Sequence, residues 1–283
     1  MKEKCLKNSL FSVALVLITA ACEPIGNSEA EDPWNDPPVV ETCDAALDPA
    51  NPVLKISRVD FMEPGTVDNA VLEDFVSESM ASDNCVWLLS FSGVDDGLAD
   101  TDGKVDLRMG VGERVNTVSR EGCYRFARPP FDETADMNLD ISGSTFSTPD
   151  DEARESIDIP LYLANGQSGC RELFLTLPIR DFFIETGTFS EDRRSLGTEL
   201  ECGAEYGGVI TVADAMDQVI DGTGMTLCGL MSGDKGTDPS DPYDDCLKKS
   251  ENWPNPPDAQ YEGAPAFSIR TCFSAEQVML AGN

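Results

Sequence analysis

The chain has 283 residues, with 52 acidic side chains against 20 basic ones, no histidine, and a formal net charge of −32 at pH 7. A surface this negative repels nucleic-acid phosphates and anionic headgroups, which excludes a nucleic-acid role. The lack of histidine excludes Ser-His-Asp and Cys-His catalysis and His-based zinc or copper sites. Two readings of the charge stand: adaptation to salty surroundings, where screening relieves self-repulsion, or collection of cations.

Residues 1–21 begin with Lys2, Lys4 and Lys7, continue through the apolar run Leu10 to Ile18 and end on the small residues Thr19, Ala20 and Ala21. This is the three-part layout of a secretory signal peptide. The apolar run is about half the ~20 residues that a membrane-spanning helix needs. Plain cleavage after Ala21 fits this ending. The step Thr19-Ala20-Ala21-Cys22 also resembles the lipobox of bacterial lipoproteins. That resemblance implies that Cys22 is acylated, becomes the mature N terminus and anchors the chain to a membrane. Glu23 after it, where Asp tends to retain such proteins at the inner membrane, implies the outer membrane, on its periplasmic or cell-surface face.

Cysteine parity bears on the same choice. Of ten cysteines, Cys5 leaves with the signal; if Cys22 carries lipid, Cys43, Cys85, Cys123, Cys170, Cys202, Cys228, Cys246 and Cys272 remain. An even set suits a disulfide framework in an oxidising compartment. All eight stand more than 15 residues from the next and form no C-x-x-C pair, so disulfides are a better reading than zinc. Their connectivity stays open.

Residues 22–52 are rich in proline and acid and poor in apolar periodicity, the composition of an extended tether. The stretch from Cys22 to Cys43 could hold the body about 60 Å from the membrane. Residues 53–283 then read as one domain. Strand signals run through "VLKISRVDF", where Leu54, Ile56 and Val59 alternate imperfectly, "CVWLLSFSG", a continuous buried-strand pattern, and "KVDLRMGV", which alternates cleanly. Further strands are expected in "CYRFA", "MNLDISG", "SIDIPLYL", "ELFLTLPI" and "FFIETGTF". Two helices interrupt them. Val67, Val71, Leu72, Phe75, Val76 and Met80 recur at helical spacing behind Thr66; Val212, Ala215, Met216, Val219 and Ile220 do so behind Thr211, with Asp214 at capping-box spacing and Gly222 as the stop. From Gly222 to Gly263 the chain reads as a loop-rich, disulfide-stapled subregion. The expected fold is mainly β: an antiparallel sandwich or barrel-like sheet with two covering helices. In general plan the chain resembles uncharacterised acidic, cysteine-rich surface lipoproteins of Gram-negative bacteria.

Three places could carry chemistry. Ser232 to Lys235, "SGDK", fits S-x-x-K, and "SDN" at Ser82 to Asn84 matches a second penicillin-binding-protein element, but the order is reversed and no K-T-G follows. In "DDGLADTDGKVDL", Asp100, Asp102, Gly103 and Asp106 match positions 3, 5, 6 and 9 of an EF-hand loop, whereas positions 1 and 12 fall on Leu98 and Met109. A hairpin loop holding calcium through Asp95, Asp96, Asp100, Asp102 and Asp106 is the metal reading; a solvated hairpin tip is the alternative. Tyr243, Asp244, Asp245, Trp253, Asn255 and Tyr261 combine rings with polar groups, as a protein-binding or carbohydrate-binding surface does, and also as a loop anchored to a core does. The functional expectation is a lipid-anchored envelope protein with a non-catalytic binding, adhesion or structural role, calcium-stabilised if the Asp loop is a site. The competing expectation is a secreted hydrolase using carboxylates or a Ser-Lys pair.

Overall fold

The computed structural model describes residues 43, 50–63, 85–94, 102–115, 122–127, 134–150, 154–162, 173–197, 201–220, 225–233 and 254–281. The helix expected behind Thr66 lies outside them, as do Cys22, Cys170, Cys246 and the tether up to Cys43.

The strands are β1 (Val53–Glu63), β2 (Cys85–Ser92), β3 (Asp102–Arg114), β4 (Cys123–Phe126), β5 (Thr134–Ser142), β6 (Thr145–Ser147), β7 (Glu155–Tyr162), β8 (Leu173–Thr188), β9 (Ser195–Leu196), β10 (Ala204–Thr211), β11 (Val219–Ile220), β12 (Met225–Thr226), β13 (Ala259–Tyr261), β14 (Ala264–Gln277) and β15 (Met279–Leu280). Their pairings close on themselves. From β3 the ladder runs through β2, β1, β14, β10, β8, β6 and β5 and returns to β3, every step antiparallel. This is the mainly β, barrel-like sheet expected from the strand signals. Closure removes the sheet edges and encloses one apolar interior. β7 extends the β6 side along the first half of β8, and β15 adds a parallel strand to β4 outside the ring.

Two irregularities shape the wall. On β1, Leu54 and Ile56 face inward, Ser57 and Arg58 are both exposed, and Val59 and Phe61 face inward again. The partner register skips from Ile56/Ala275 to Arg58/Ser274, so one bulged residue re-phases the strand. On β8, Leu175, Leu177 and Ile179 point inward, then Phe182 and Ile184 do. The phase changes at Asp181, whose φ of 50° belongs to the left-handed region. The segments "ELFLTLPI" and "FFIETGTF" are therefore one bent strand, not two.

The interior cluster draws side chains from every strand of the ring, among them Leu54, Leu89, Leu107, Leu139, Phe146, Ile184, Ile210 and Phe273. Phe91, Phe146 and Phe189 pack as a triad with centroids 4.9 to 5.2 Å apart, in the edge-on and tilted arrangements that ring quadrupoles favour. Outside the ring, Val86, Leu88 and Tyr124 form a smaller cluster covered by Phe126, Val278 and Leu280.

Helix α1 (Val212–Asp217) follows β10 directly; Thr211 caps it by accepting from the Asp214 amide at 3.0 Å. It is shorter than its apolar spacing predicts, because Val219 and Ile220 leave the helix to pair with Met225 and Thr226. The Asp214 carboxylate faces Arg180 on β8, with contacts of 3.1 and 3.2 Å. Partial burial pulls that carboxyl upward, but the Arg180 and Thr211 hydrogen bonds prevail and hold it below the usual aspartate value. A second helix, α2 (Leu227–Ser232), lies inside the region read as loop: Thr226 caps it, and Gly233 ends it in the left-handed conformation at φ 74°. Val212, Ala215, Leu227, Cys228 and Met231 join the interior cluster, so the two short helices cover the barrel where β10 ends.

The disulfide expectation holds for the described cysteines. Cys43 is bonded to Cys123 and Cys202 to Cys272; Cys85 and Cys228 are disulfide-bonded as well, to partners outside the described residues.

Candidate ligand cavity inside the barrel

The sites expected from sequence motifs are placed as follows. β2 and β3 are antiparallel neighbours, so the Asp-rich loop is a hairpin connection. Asp95, Asp96 and Asp100 lie outside the described residues, and Asp102 opens β3. Asp106 lies four residues further along an extended strand, about 13 Å away. It pairs in register with Ser92 and Asn138 and is exposed. The strand geometry thus separates Asp106 from the loop that it was expected to serve. It lines instead an open polar groove of about 440 Å³ on the outer wall, beside Ser90, Arg108 and Asp136. At the base of the same loop, the buried Arg193 guanidinium donates to the Val94 carbonyl at 3.5 Å. Among the described residues, no three His, Cys, Asp or Glu side chains converge as a metal site.

Ser232 of the S-x-x-K match is fully buried, and its hydroxyl donates to the Gly229 carbonyl of its own helix at 3.3 Å. It is packed as a helix terminus, not presented as a nucleophile. Of the aromatic and amide set, Tyr243, Asp244, Asp245 and Trp253 lie outside the described residues. Asn255 ties its segment to α2: its side-chain nitrogen donates to the Met231 carbonyl at 2.9 Å and its amide to the Ser232 carbonyl at 3.0 Å. Tyr261, half-buried on β13, stands near Arg180. For Asn255, the polar group serves to dock the chain.

What sequence reasoning missed is inside the ring. A cavity of about 50 Å³ is lined by Ile56, Val59 and Phe61 of β1, Trp87 and Leu89 of β2, Met109 of β3, Ile159 and Leu161 of β7, Leu177, Phe182 and Ile184 of β8, Tyr206 of β10 and Phe273 of β14. Strands more than 200 residues apart in sequence contribute to it, which is why no local pattern announces it. Its volume is several times the ~10–15 Å³ that admits a water, but a water needs two to four polar partners and this wall is almost wholly carbon. The space therefore suits an apolar occupant.

The bulges on β1 and β8 create this geometry by turning Val59, Phe61, Phe182 and Ile184 inward. Trp87, Ile159 and Leu161 are half-buried and mark the side on which the lining meets solvent. The Trp87 indole donates to the Pro160 carbonyl at 3.3 Å, fixing the ring across from β7. On the opposite wall, burial pushes the Tyr206 phenol up to about 12; the neighbouring Thr271 hydroxyl opposes that rise without reaching hydrogen-bond geometry. Tyr206 is thus a neutral phenol throughout the physiological range. No protein-family model, curated protein or solved structure matches the chain, so the functional reading rests on this geometry and on the sequence.

Proposed function

We propose that this chain is an exported, outer-membrane lipoprotein whose barrel is a non-catalytic binding module for a small apolar molecule. The observation that carries the binding reading is the apolar cavity lined from seven strands. Closed eight-stranded barrels are just wide enough to be filled by side chains or to hold one small ligand, and here the filling stops short. The Cys22 motif and the acidic, proline-rich segment after it support the address: lipid holds the mature N terminus, and a tether keeps a strongly negative body clear of anionic headgroups.

The binding reading is tested on a variant in which Trp34 and Trp253 are replaced by Phe, leaving Trp87 beside the cavity as the fluorophore. Equilibration with xenon, an apolar atom small enough for a void of about 50 Å³, is expected to quench its emission saturably and to raise the melting temperature by mass action. Val59→Leu, which adds one methylene to the void, is expected to stabilise the free protein by about 1 kcal/mol and to weaken that binding. An emission that stays linear up to the solubility limit in both proteins would refute the module. The address is tested separately by mass spectrometry of the mature N terminus, where a diacylglyceryl-modified Cys22 is expected. An unmodified Cys22, or one in a disulfide, removes the anchor.

A further inference from the structure

On the outer wall, the open groove of about 440 Å³ is floored by β2, β3 and β5. The ladder register sets its polar side chains in two rows: Ser92, Asp106 and Asn138 in one, Ser90, Arg108 and Asp136 in the other. Strand geometry spaces them about 5 Å across the ladder and about 7 Å along it. Arg108 is held in place, its Nε 3.2 Å from the Asp136 carboxylate and its guanidinium carbon 6.0 Å from the centre of the Phe126 ring. Among the described residues, no protein group pairs with the side chains of Ser90, Ser92, Asp106 or Asn138. Asp and Asn are also poor strand formers, and the Arg108–Asp136 pair, more than half exposed on both sides, contributes little to stability. The fold itself does not require this set of side chains.

The chemistry of the two rows selects among occupants. An apolar molecule would displace water from polar groups and pair with none of them. An anion would meet two carboxylates on a chain of net charge −32, with the one guanidinium of the groove already engaged by Asp136. A metal ion would find Asp106 as the one carboxylate of the groove not held by arginine, and among the described residues no three His, Cys, Asp or Glu side chains converge. A carboxylate, an amide, hydroxyls and a guanidinium at fixed spacing suit a neutral molecule with several hydroxyls, each of which both donates and accepts. We propose that the groove is a carbohydrate site that takes one or two rings of an uncharged sugar. Asp106 accepts from neighbouring hydroxyls, Asn138 donates and accepts beside it, and the Arg108 guanidinium donates from the second row. The volume lies within the ~300–1,000 Å³ of small-molecule sites, and the groove is open, so a sugar reaches these groups without movement of the barrel. The site is separate from the interior cavity and stands or falls independently of it.

The test is an amide NMR titration of the mature protein with D-glucose, D-galactose, D-mannose and N-acetyl-D-glucosamine. At least one is expected to shift the amides around Ser90, Asp106 and Asn138 saturably, with millimolar affinity, and the corresponding uronate to bind about tenfold more weakly, because its carboxylate faces Asp106 and Asp136. Asp106→Ala is expected to weaken the sugar about tenfold, the scale of a hydrogen bond to a charged group, while its melting temperature stays within about two degrees of the parent, as befits an exposed position. Asn138→Ala, on the neighbouring strand, carries the same test should Asp106→Ala fail to fold. Asp217→Ala, which removes an exposed carboxylate at the end of α1, binds as the parent does. Absence of saturable shifts with all four sugars overturns the site, as does unchanged affinity in Asp106→Ala. Saturable shifts of the same amides with calcium chloride or sodium phosphate, and none with the sugars, assign the groove to an ion and overturn the sugar reading.

Discussion

Gly203→Ala is expected to lower the melting temperature by roughly 10 °C, corresponding to about 3 kcal/mol in a domain of this size. A Cβ at this position would stand 2.1 Å from the Leu196 carbonyl carbon, 2.3 Å from its oxygen and 2.4 Å from the Gly197 nitrogen. All three are backbone atoms, and none is free to move. Leu196 pairs with Ala275 in the β9–β14 ladder; the Gly203 amide donates to the Phe273 carbonyl at 3.0 Å; and the Gly203 carbonyl accepts from Thr188 at 2.9 Å. The crossing of these strands requires the absence of a side chain, so relief would break ladder hydrogen bonds next to the Cys202–Cys272 bond. Gly103→Ala is the matched control, since its new methyl meets nothing within 4 Å. It should shift the melting temperature by no more than a degree or two. A Gly203→Ala protein that melts with the control would show that the strand crossing is looser than described. Thermal melting by circular dichroism decides it.

The second large effect is expected from the disulfides. Replacing Cys202 and Cys272 by Ala opens a closure of 70 residues, which by the chain-entropy estimate costs about 4 kcal/mol, and the Cys43–Cys123 closure of 80 residues is of the same order. Two such losses approach the whole stability of an ordinary domain. The charge sharpens the expectation: at −32 the folded chain repels itself, and this repulsion is screened over about 8 Å at physiological ionic strength but over about 30 Å at 0.01 M. Reduced protein should therefore be unfolded at low salt and 37 °C and regain stability as salt is added, while oxidised protein stays folded in both. Melting curves with and without reductant at the two ionic strengths measure this. Equal midpoints for oxidised and reduced protein would mean that the barrel core suffices without its bridges.

How far the fold was legible follows from individual elements. β3 was readable because burial alternates from Val105 to Met109, and β2 because it is apolar on both faces, with Leu89 and Phe91 in the interior and Val86 and Leu88 in the outer cluster. β1 read as imperfect because Ser57 is bulged out, and β8 read as two strands because Asp181 re-phases it. β10 and β14 escaped notice although both are central. Gly207 and Gly208 blank the pattern of β10. In β14 Thr271 takes an inward place between Ile269 and Phe273, a position that an alternation rule assigns to an apolar residue. Helix α2 hides in a glycine-rich segment because its N-cap and its left-handed stop need only Thr226 and Gly233. The candidate metal residue Asp106 shows the converse: a motif spacing that suits a loop places the residue in a regular strand.

Composition and local pattern by themselves determined the acidic balance, the even number of cysteines after Cys22 and the β character of the body. These depend on residue counts, on period-two burial and on short-range motifs, all of which act within a few residues. The closure of β5 on β3, the inward turn of side chains at the bulges and the void were decided only in the tertiary structure. They require contacts between positions as distant as Ile56 and Phe273, and whether thirteen side chains fill a barrel or leave 50 Å³ open is a property of how their volumes meet in space.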